Sequence, residues 1–418
     1  MTDLIHVRRT CRLCDSPDLV RSVKLAEVPI VSPNVGTEED PSSGQRLTRV
    51  VAPLDNYLCQ ACGLNQLVHV VDPSLIYRDY LYRTSISLGL PDHFRALADS
   101  VIGRAQLTGG ELVCEFGSND GTLLGAFKDR GMSVQGVDPA RQIAAEASSR
   151  GIPTLPEFFT KALAERIRAD RGPARAILAN NAMANIDDLT EILAGVRILL
   201  APNGVFVFET QYALDVFEKT LLDVIYHEHI TTFSVRPVAE AFKRHGLTVF
   251  DAERIATKGG SIRFWCQLSG GPNPVAPSVS ELISLEQRAG LYDLAYHQRF
   301  GDKVARITAE LHARIAAVRA GGGSVGAYGT SVGCAALIHQ FRLEDKLDVL
   351  FDDTPFKDRL EGPGYSLPVM RNDGVEQVKP DMIIVLAWRY ADPIIRKHSE
   401  YSRTGGVFVI PLPDLVVR

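Results

Sequence analysis

The sequence predicts an α/β fold in which a small N-terminal domain precedes two Rossmann-like α/β domains. Two stretches carry this prediction, ELVCEFGSNDGTLLGAFKDRG and SVGAYGTSVGCAALIHQF, because each places a Gly-rich turn between an apolar strand and a helix. Each is followed by a second strand that ends in acidic residues, at Asp138 and at Asp352-Asp353, so the chain contains two related units. The length of 418 residues agrees with two or three domains.

Composition indicates an ordinary globular protein, with 45% hydrophobic and 23% charged residues and a net charge of −5. No Lys/Arg-rich cluster stands out, so we expect no nucleic-acid partner. The start MTDLIHVRRT lacks the apolar core of a signal peptide, and no run of about 18 apolar residues occurs, so no membrane span is expected. Seven cysteines, an odd number, favour a reducing cytoplasm. We expect a monomer or a weak homo-oligomer.

Two Cys-x2-Cys pairs mark the N-terminal region, with a long segment between them that must form strands of its own. The four thiolates are Cys11, Cys14, Cys59 and Cys62. They can complete a tetrahedral Zn²⁺ site, although incidental or redox-active pairs are alternatives. Because the site leaves no open coordination position, the metal would be structural. The fold class is therefore α/β, with a small N-terminal zinc-binding domain followed by two Rossmann-like α/β domains.

The first Gly-rich turn predicts a cofactor site. It lacks the G-x-G-x-x-G on which a pyrophosphate would rest, and it carries acids and amides that suit S-adenosylmethionine better than NAD. Asp138, at the end of the next strand, is placed to accept hydrogen bonds from two ribose hydroxyls. A third strand ends where adenine or methionine contacts would fall. The candidate cofactor-binding residues are Glu115, Gly117, Asn119, Asp120, Gly121, Asp138, Asn180 and Asn181.

The second Gly-rich turn has Ala327-Tyr328 where the first has Glu115-Phe116. We therefore expect only the first turn to bind the cofactor. The glycines of the second turn serve close helix–strand packing or substrate binding, and the sequence does not decide between these roles.

The stretch LDVIYHEHITTFS is the candidate catalytic segment, with Tyr226, His227, Glu228 and His229 in consecutive positions. A catalytic metal at His227 and His229 lacks an evident third ligand, and a buried polar network is the other alternative. Neither a strand nor a helix would bring Tyr226, Glu228 and His229 to one pocket. We therefore predict a loop or broken turn, with His227 facing elsewhere as a structural hydrogen-bonding residue.

The two Cys-x2-Cys pairs, EFGSNDG, GVDPA, YHEH, KGGSIR and the second Gly-rich unit occur in that order. This ordered set, over essentially the whole chain, resembles the nucleotide-sugar C-methyltransferases that branch 4-keto deoxysugars at C3. The resemblance implies a zinc-binding substrate domain at 1–85 and an S-adenosylmethionine-binding Rossmann-like domain at 86–272. A C-terminal Rossmann-like domain at 273–418, after the linker Gly270-Gly271-Pro272, would assist substrate binding.

The resemblance also implies residue roles, with a small-molecule nucleotide sugar as substrate. His229 would be the base, Glu228 would fix its tautomer and Tyr226 would donate a hydrogen bond to the enolate. The candidate substrate-binding residues are Tyr80, Tyr82, Asn185 and Lys357.

Two positions depart from the family pattern. Asn185 stands where family members usually have a histidine, and the second Gly-rich turn lacks the family's lysine. Because both positions fall where substrate is expected, O- or N-methylation of another nucleotide sugar or small metabolite remains an alternative. A binding module that uses the cofactor fold for recognition only is a second one.

Overall fold

The computed structural model describes residues 5–30, 51–78, 80, 82–87, 89–354 and 367–418. They form two compact units. The first consists of the described residues of Met1–Val20, Tyr57–Leu214 and Glu228–Tyr292, and the second consists of those of Arg21–Asn56, Asp215–His227 and Asp293–Arg418. Each unit is thus assembled from three separate stretches of chain. The three-domain division expected from the sequence stays a prediction.

The N-terminal region is built from short strands and one short helix, so the segment between the two cysteine pairs does contain strands, as expected. In chain order these elements are β1 Ile5–Val7, β2 Leu19–Val23, β3 Glu27–Pro29, β4 Val51–Pro53, β5 Asn56–Cys59, β6 Asn65–Leu67, β7 His69–Val71 and α1 Pro73–Tyr77. β1 pairs antiparallel with β7, and β3 pairs antiparallel with β4. Helix α1 begins where the Asp72 side chain accepts a hydrogen bond from the Ser74 amide at 2.8 Å.

The centre of the first unit is a seven-stranded sheet with helices packed against it. The helices and strands of this part of the chain, in order, are α2 Leu90–Ala105, β8 Leu112–Phe116, α3 Thr122–Lys128, β9 Ser133–Val137, α4 Arg141–Ser149, β10 Thr154–Leu155, α5 Lys161–Arg171, β11 Ala174–Asn180, α6 Leu189–Leu199, β12 Leu200–Gln211, α7 Ala213–Glu218, β13 Thr231–Thr232, α8 Val235–Arg244, β14 Leu247–Ile255, β15 Ser261–Leu268 and α9 Pro277–Ala289. Strand β13 pairs with β6 and is not part of the seven-stranded sheet. Helix α7 crosses the boundary between the two units.

The order in this sheet is β10-β9-β8-β11-β12-β15-β14. The five strands β10, β9, β8, β11 and β12 run parallel to one another, and β15 is antiparallel to both of its neighbours. All five residues of β8 are buried, as a central parallel strand covered on both faces requires. The carboxyl ends of β8, β9, β11 and β12 therefore meet at one edge, where ligands bind in sheets of this kind.

The core of the first unit lies between this sheet and its helices. Val113, Phe127, Leu178 and Trp265 are among its fully buried side chains. Each such side chain contributes about 1.5–3 kcal/mol through burial of apolar surface. The helix positions are fixed locally as well, since the Thr160 hydroxyl accepts a hydrogen bond from the Leu163 amide at the start of α5.

The second unit contains the sheet β18-β17-β16-β19-β20-β21, which is parallel except between β20 and β21. Its helices and strands, in chain order, are α10 Leu294–Ala320, β16 Val325–Tyr328, α11 Val332–Gln340, β17 Val349–Asp352, β18 Val369–Arg371, α12 Gly374–Val378, β19 Met382–Val385, α13 Ala391–Lys397, α14 Ser399–Arg403, β20 Val407–Ile410 and β21 Val416–Val417. The mixed α/β class and the second Rossmann-like sheet agree with the sequence prediction.

None of the helices in the described ranges combines the length and apolar character that crossing a bilayer requires.

Candidate functional site

The four predicted zinc ligands converge in the first unit. The sulfur atoms of Cys11, Cys14, Cys59 and Cys62 all lie within 4.8 Å of one another. The Sγ atoms of Cys11 and Cys62 are 3.6 Å apart, close to the ~3.8 Å that separates thiolates around tetrahedral Zn²⁺. The residues present therefore fit Zn²⁺.

The two knuckles share one backbone design. The Asp15 amide donates to the Cys11 carbonyl at 3.0 Å, and the Gly63 amide donates to the Cys59 carbonyl at 2.8 Å. Asp15 and Gly63 both have positive φ, 58° and 84°. Glycine is suited to the second turn for another reason, since a Cβ at position 63 would collide with the Tyr292 ring.

The first Gly-rich turn lies at the carboxyl edge of the seven-stranded sheet. Gly117 has φ +67°, and a Cβ there would lie 2.7 Å from the Ala182 Cβ. Asp138 braces the turn from the end of β9, since its carboxylate accepts hydrogen bonds from the amides of Asn119 at 2.8 Å and Ala140 at 2.9 Å. Each carboxylate oxygen keeps a lone pair for a further donor such as a ribose hydroxyl.

Buried polar atoms without a hydrogen-bond partner in the described part of the chain gather at this edge. They include Glu115 Oε2, Ser118 Oγ and both amide atoms of Asn180. Burial raises the pKa of the Glu115 carboxyl well above its ordinary value; the nearby Asn180 amide opposes the rise, but no hydrogen bond of good geometry joins the two groups. Unsatisfied buried polar groups are costly, and a ligand that carries amino, carboxylate and hydroxyl groups would satisfy them. The edge therefore fits S-adenosylmethionine.

Asn119 and Asp120 also have a function that the sequence did not reveal. The Asn119 side chain accepts from the Thr84 amide and donates to the Tyr82 carbonyl, both at 2.9 Å, while Asp120 accepts from the Ser85 amide at 3.0 Å. The two side chains thus hold the segment that carries the predicted substrate tyrosines against the cofactor turn. Their contacts to the cofactor itself stay predictions, as do those of Gly121 and Asn181.

Replacing Asp138 by alanine should weaken S-adenosylmethionine binding by roughly ten- to a hundred-fold, because the predicted ribose acceptor and the brace of the turn are both lost. Isothermal titration calorimetry measures this change. Asp352 provides a matched control, because its carboxylate accepts from the amides of Thr330 at 3.0 Å and Thr354 at 2.9 Å in the same way. Asp352→Ala should leave the cofactor affinity unchanged, and equal losses in both variants would contradict the assignment.

The segment YHEH has the irregular backbone that the sequence predicted. A 3₁₀ helix covers Leu222–Val224, and residues 225–230 contain only a bend and a turn. His227 is buried and lies 3.0 Å from the Ala52 carbonyl through its Nε2, so it is the structural hydrogen-bonding residue that was expected. Tyr226, half-buried, belongs with His227 to the second unit, whereas Glu228 and His229 belong to the first.

Glu228 is buried and accepts a hydrogen bond from Tyr80, one of the predicted substrate residues. The Tyr80 hydroxyl donates to Glu228 Oε2 at 2.8 Å, and the Tyr77 hydroxyl donates to the Glu228 carbonyl at 3.3 Å. Burial raises the pKa of the Glu228 carboxyl to about 7, against the opposing effects of the Tyr80 hydrogen bond and the charge of Lys258. The Glu228 carboxylate is therefore the acceptor for Tyr80, and its role in fixing the tautomer of His229 stays a prediction.

Glu228 should make stability depend on pH. A carboxyl whose pKa rises from 4.5 to about 7 on folding binds its proton more tightly in the folded chain, so the chain loses stability as pH rises through that interval. Glu228→Gln should remove this loss, which amounts to about 3 kcal/mol above neutral pH. The measurement is the free energy of unfolding of wild type and variant at about pH 5 and about pH 8.

Tyr80→Phe gives the opposite control for this prediction. Without the Tyr80 hydrogen bond the ionised form loses a donor, so the pKa of Glu228 should rise further and the loss of stability at about pH 8 should grow. Equal pH dependence in wild type and both variants would contradict the assigned protonation of Glu228.

His229 is half-buried and meets the last residue of β12. Nε2 of Gln211 lies 3.2 Å from both ring nitrogens of His229, so the amide contacts the imidazole. Gln211 is buried at the carboxyl edge of the sheet that also carries Gly117, Asp138 and Asn180. The imidazole thus lies at the edge where the cofactor residues converge.

The remaining predicted substrate residues are Tyr82, Asn185 and Lys357. The Tyr82 ring lies 6.2 Å from the Tyr80 ring, and its hydroxyl contacts Ser87 Oγ at 2.6 Å. Asn185 ends a 3₁₀ helix, and its buried Oδ1 has no partner among the described residues. Lys357 lies outside the described residues.

Sequence reasoning missed Gln211 and Lys258. Gln211 is the last residue of the long strand β12, Leu200–Gln211. Lys258 has a left-handed backbone, φ +53°, beside Gly259, and a lone lysine followed by glycines was the available signal.

Family models match three consecutive parts of the chain. Residues 11–77 match "Putative zinc binding domain", 92–252 match "Methyltransferase domain" and 256–413 match "C-methyltransferase C-terminal domain". "C-methyltransferase NovU" of Streptomyces niveus is 33% identical over 415 residues, which cover 99% of this chain and 98% of that protein. This chain belongs to the C-methyltransferase family. It is an S-adenosylmethionine-dependent methyltransferase with a zinc-binding N-terminal region, so the predicted family and both predicted cofactors are confirmed.

Two solved structures are similar to part of this C-methyltransferase. The PH0226 protein of Pyrococcus horikoshii OT3 is 13% identical, with a TM-score of 0.37 over 45% of this chain and 94% of that chain. An S-adenosylmethionine-dependent methyltransferase of Clostridium acetobutylicum ATCC 824 is 12% identical, with a TM-score of 0.35 over 43% and 92%. The family assignment rests on the sequence matches alone.

Proposed function

We propose that this C-methyltransferase methylates C3, the carbon α to the ketone, of a nucleotide-linked 4-keto deoxysugar. The supporting observation is the contact between His229 and Gln211 at the carboxyl edge of the cofactor sheet. It brings an imidazole to the edge lined by Gly117 and Asp138. The identity of the sugar rests on the ordered motifs of the sequence.

The first step requires removal of a proton from a weak carbon acid. His229 takes the C3 proton, since an imidazole has a pKa near working pH. A base needs one ring N–H fixed by an acceptor and the other nitrogen free. Gln211 is the side chain placed to orient the ring, because its Nε2 lies 3.2 Å from both ring nitrogens and its Oε1 accepts from the Thr210 hydroxyl at 3.3 Å.

The negative charge that leaves C3 develops on the ketone oxygen. Tyr226 is the predicted hydrogen-bond donor to this enolate. The Tyr80 hydroxyl donates to the Glu228 carboxylate and would orient that side chain. S-adenosylmethionine, when bound, supplies the electrophilic methyl group. The glycine turn and Asp138 would hold this cofactor at the carboxyl edge of the sheet.

The test uses methyl-labelled S-adenosylmethionine and pairs of nucleotide sugars that differ only in a ketone or a hydroxyl at C4. We expect the labelled methyl group to appear only in the ketone of each pair and not in the corresponding alcohol. In D₂O with S-adenosylhomocysteine, the C3 proton should exchange with solvent in the wild type and not in His229→Asn.

Transfer of label to the reduced sugars would favour O-methylation, because that reaction needs no α-proton exchange. Retention of the C3 proton during methylation would likewise overturn the proposal. Both outcomes leave the family assignment intact, since methyl transfer itself would still occur.

A further inference from the structure

Arg12 is a buried cation inside the first cysteine knuckle. It lies between Cys11 and Cys14, and its side chain has an exposed fraction of 0%. A buried guanidinium is unfavourable unless acceptors surround it, so such a residue is costly in a knuckle that only has to bind metal. The acceptors that it uses identify its role.

The guanidinium joins three parts of the first unit. Its Nε donates to Asp187 Oδ1 at 2.8 Å, and its Nη1 donates to the carbonyls of Leu67 at 2.6 Å and Ile230 at 3.1 Å. Nη1 also lies 3.3 Å from Gln66 Oε1. The planar fork of an arginine can reach several acceptors at once, which a lysine ammonium on a flexible stem cannot do with the same geometry.

The contact to Ile230 connects the knuckle to the candidate base, because Ile230 directly follows His229. The same carbonyl accepts a hydrogen bond from the Leu67 amide at 2.9 Å. The chain then continues as β13, which pairs antiparallel with β6, with Thr231 opposite Gln66 and Thr232 opposite Asn65. The segment that leaves His229 is therefore part of the sheet next to the cysteine cluster.

We propose that Arg12 is a positioning residue for the methyl transfer, which holds His229 against Gln211 through the Ile230 carbonyl. The inference rests on the proposed role of His229 as the base. Proton abstraction depends steeply on placement, since a shift of about 1 Å in a reacting group costs on the order of a hundred-fold in rate. The N-terminal region thus contributes to catalysis through geometry as well as to the fold.

The experiment compares Arg12→Lys and Arg12→Met with Arg8→Met in the zinc-loaded enzyme. Arg8 is the matched control. Its Nη1 donates to the Asp187 carbonyl at 3.1 Å, and none of its side-chain hydrogen bonds within the described chain reaches Ile230. We expect kcat to fall roughly ten- to a hundred-fold in the Arg12 variants, less in Lys than in Met, while KM and cofactor affinity stay unchanged. Arg8→Met should keep the wild-type kcat.

Two readouts do not depend on turnover. Amide hydrogen exchange at Ile230–Thr232 should become faster in both Arg12 variants and stay unchanged in Arg8→Met. The NMR signals of the His229 ring, recorded with S-adenosylhomocysteine, should shift in the same variants. Zinc content, measured by mass spectrometry, should equal that of the wild type.

Wild-type kcat and exchange in zinc-loaded Arg12→Lys and Arg12→Met would overturn the inference. Loss of zinc from both variants would also overturn it, since Arg12 would then serve only the fold of the knuckle. If only Arg12→Met loses zinc, the kcat and the amide exchange of zinc-loaded Arg12→Lys test the inference. Full activity of His229→Asn would instead defeat the proposed function, and the exchange data would still report on the link from Arg12 to Ile230.

Discussion

Replacing His229 by asparagine should lower kcat on the order of a thousand-fold while cofactor affinity stays within about twofold. Asparagine keeps a polar group beside Gln211 but has no nitrogen that can take a proton near neutral pH. The chemical step would then lack its base, whereas the glycine turn and Asp138 are untouched. Single-turnover transfer of labelled methyl and calorimetric titration of the cofactor measure the two quantities separately.

His227→Asn is the matched control for this experiment. It also replaces a histidine, two positions before His229. The ring of this histidine contacts the Ala52 carbonyl at 3.0 Å. We expect it to lower thermal stability, because a buried hydrogen bond is disturbed, and to leave kcat within about fivefold of wild type. A fully active His229→Asn variant, or equal losses in both, would remove His229 from the mechanism.

The second large effect is expected at the cysteine cluster. Cys11→Ser or Cys59→Ser should prevent zinc binding and unfold the N-terminal part of the first unit, because structural zinc sites contribute on the order of 10 kcal/mol to folding. A strong chelator should act in the same way on the wild type. Zinc content, circular dichroism and the melting temperature record the loss.

Cys266→Ala controls for the removal of a buried thiol. Cys266 lies fully buried in β15 and is not part of the cluster, so its replacement should cost about 1 kcal/mol and no zinc. A Cys59→Ser variant that melts like the wild type and retains zinc would contradict the structural role of the cluster.

The parts of the site that the sequence predicted are those that local patterns encode. The strand Leu112–Phe116 is found where it was expected, since a short apolar run before a Gly-rich turn has few other interpretations. The four cysteines meet as predicted, because two Cys-x2-Cys pairs are the spacing typical of a structural zinc site. The break in YHEH followed from the conflict between side-chain periodicity and a shared pocket.

The parts that could not be predicted depend on contacts between distant segments. Gln211 meets His229, and Arg12 meets Ile230, only because the sheet and the knuckle bring them together. No local pattern distinguishes an asparagine that bonds a cofactor from one that, like Asn119, bonds the backbone of Thr84. The hydrogen bond between Tyr80 and Glu228 could not be predicted for the same reason, because the two residues lie far apart in sequence.

The interleaving of the two units has a consequence for how the chain acquires its structure. The second unit needs Arg21–Asn56 and Asp215–His227 as well as the C-terminal stretch Asp293–Arg418. During translation the early segments emerge long before their partners, so this half cannot mature until the ribosome has nearly finished. Because each unit draws on separate stretches of the chain, limited proteolysis should yield nicked protein that stays associated rather than separable fragments.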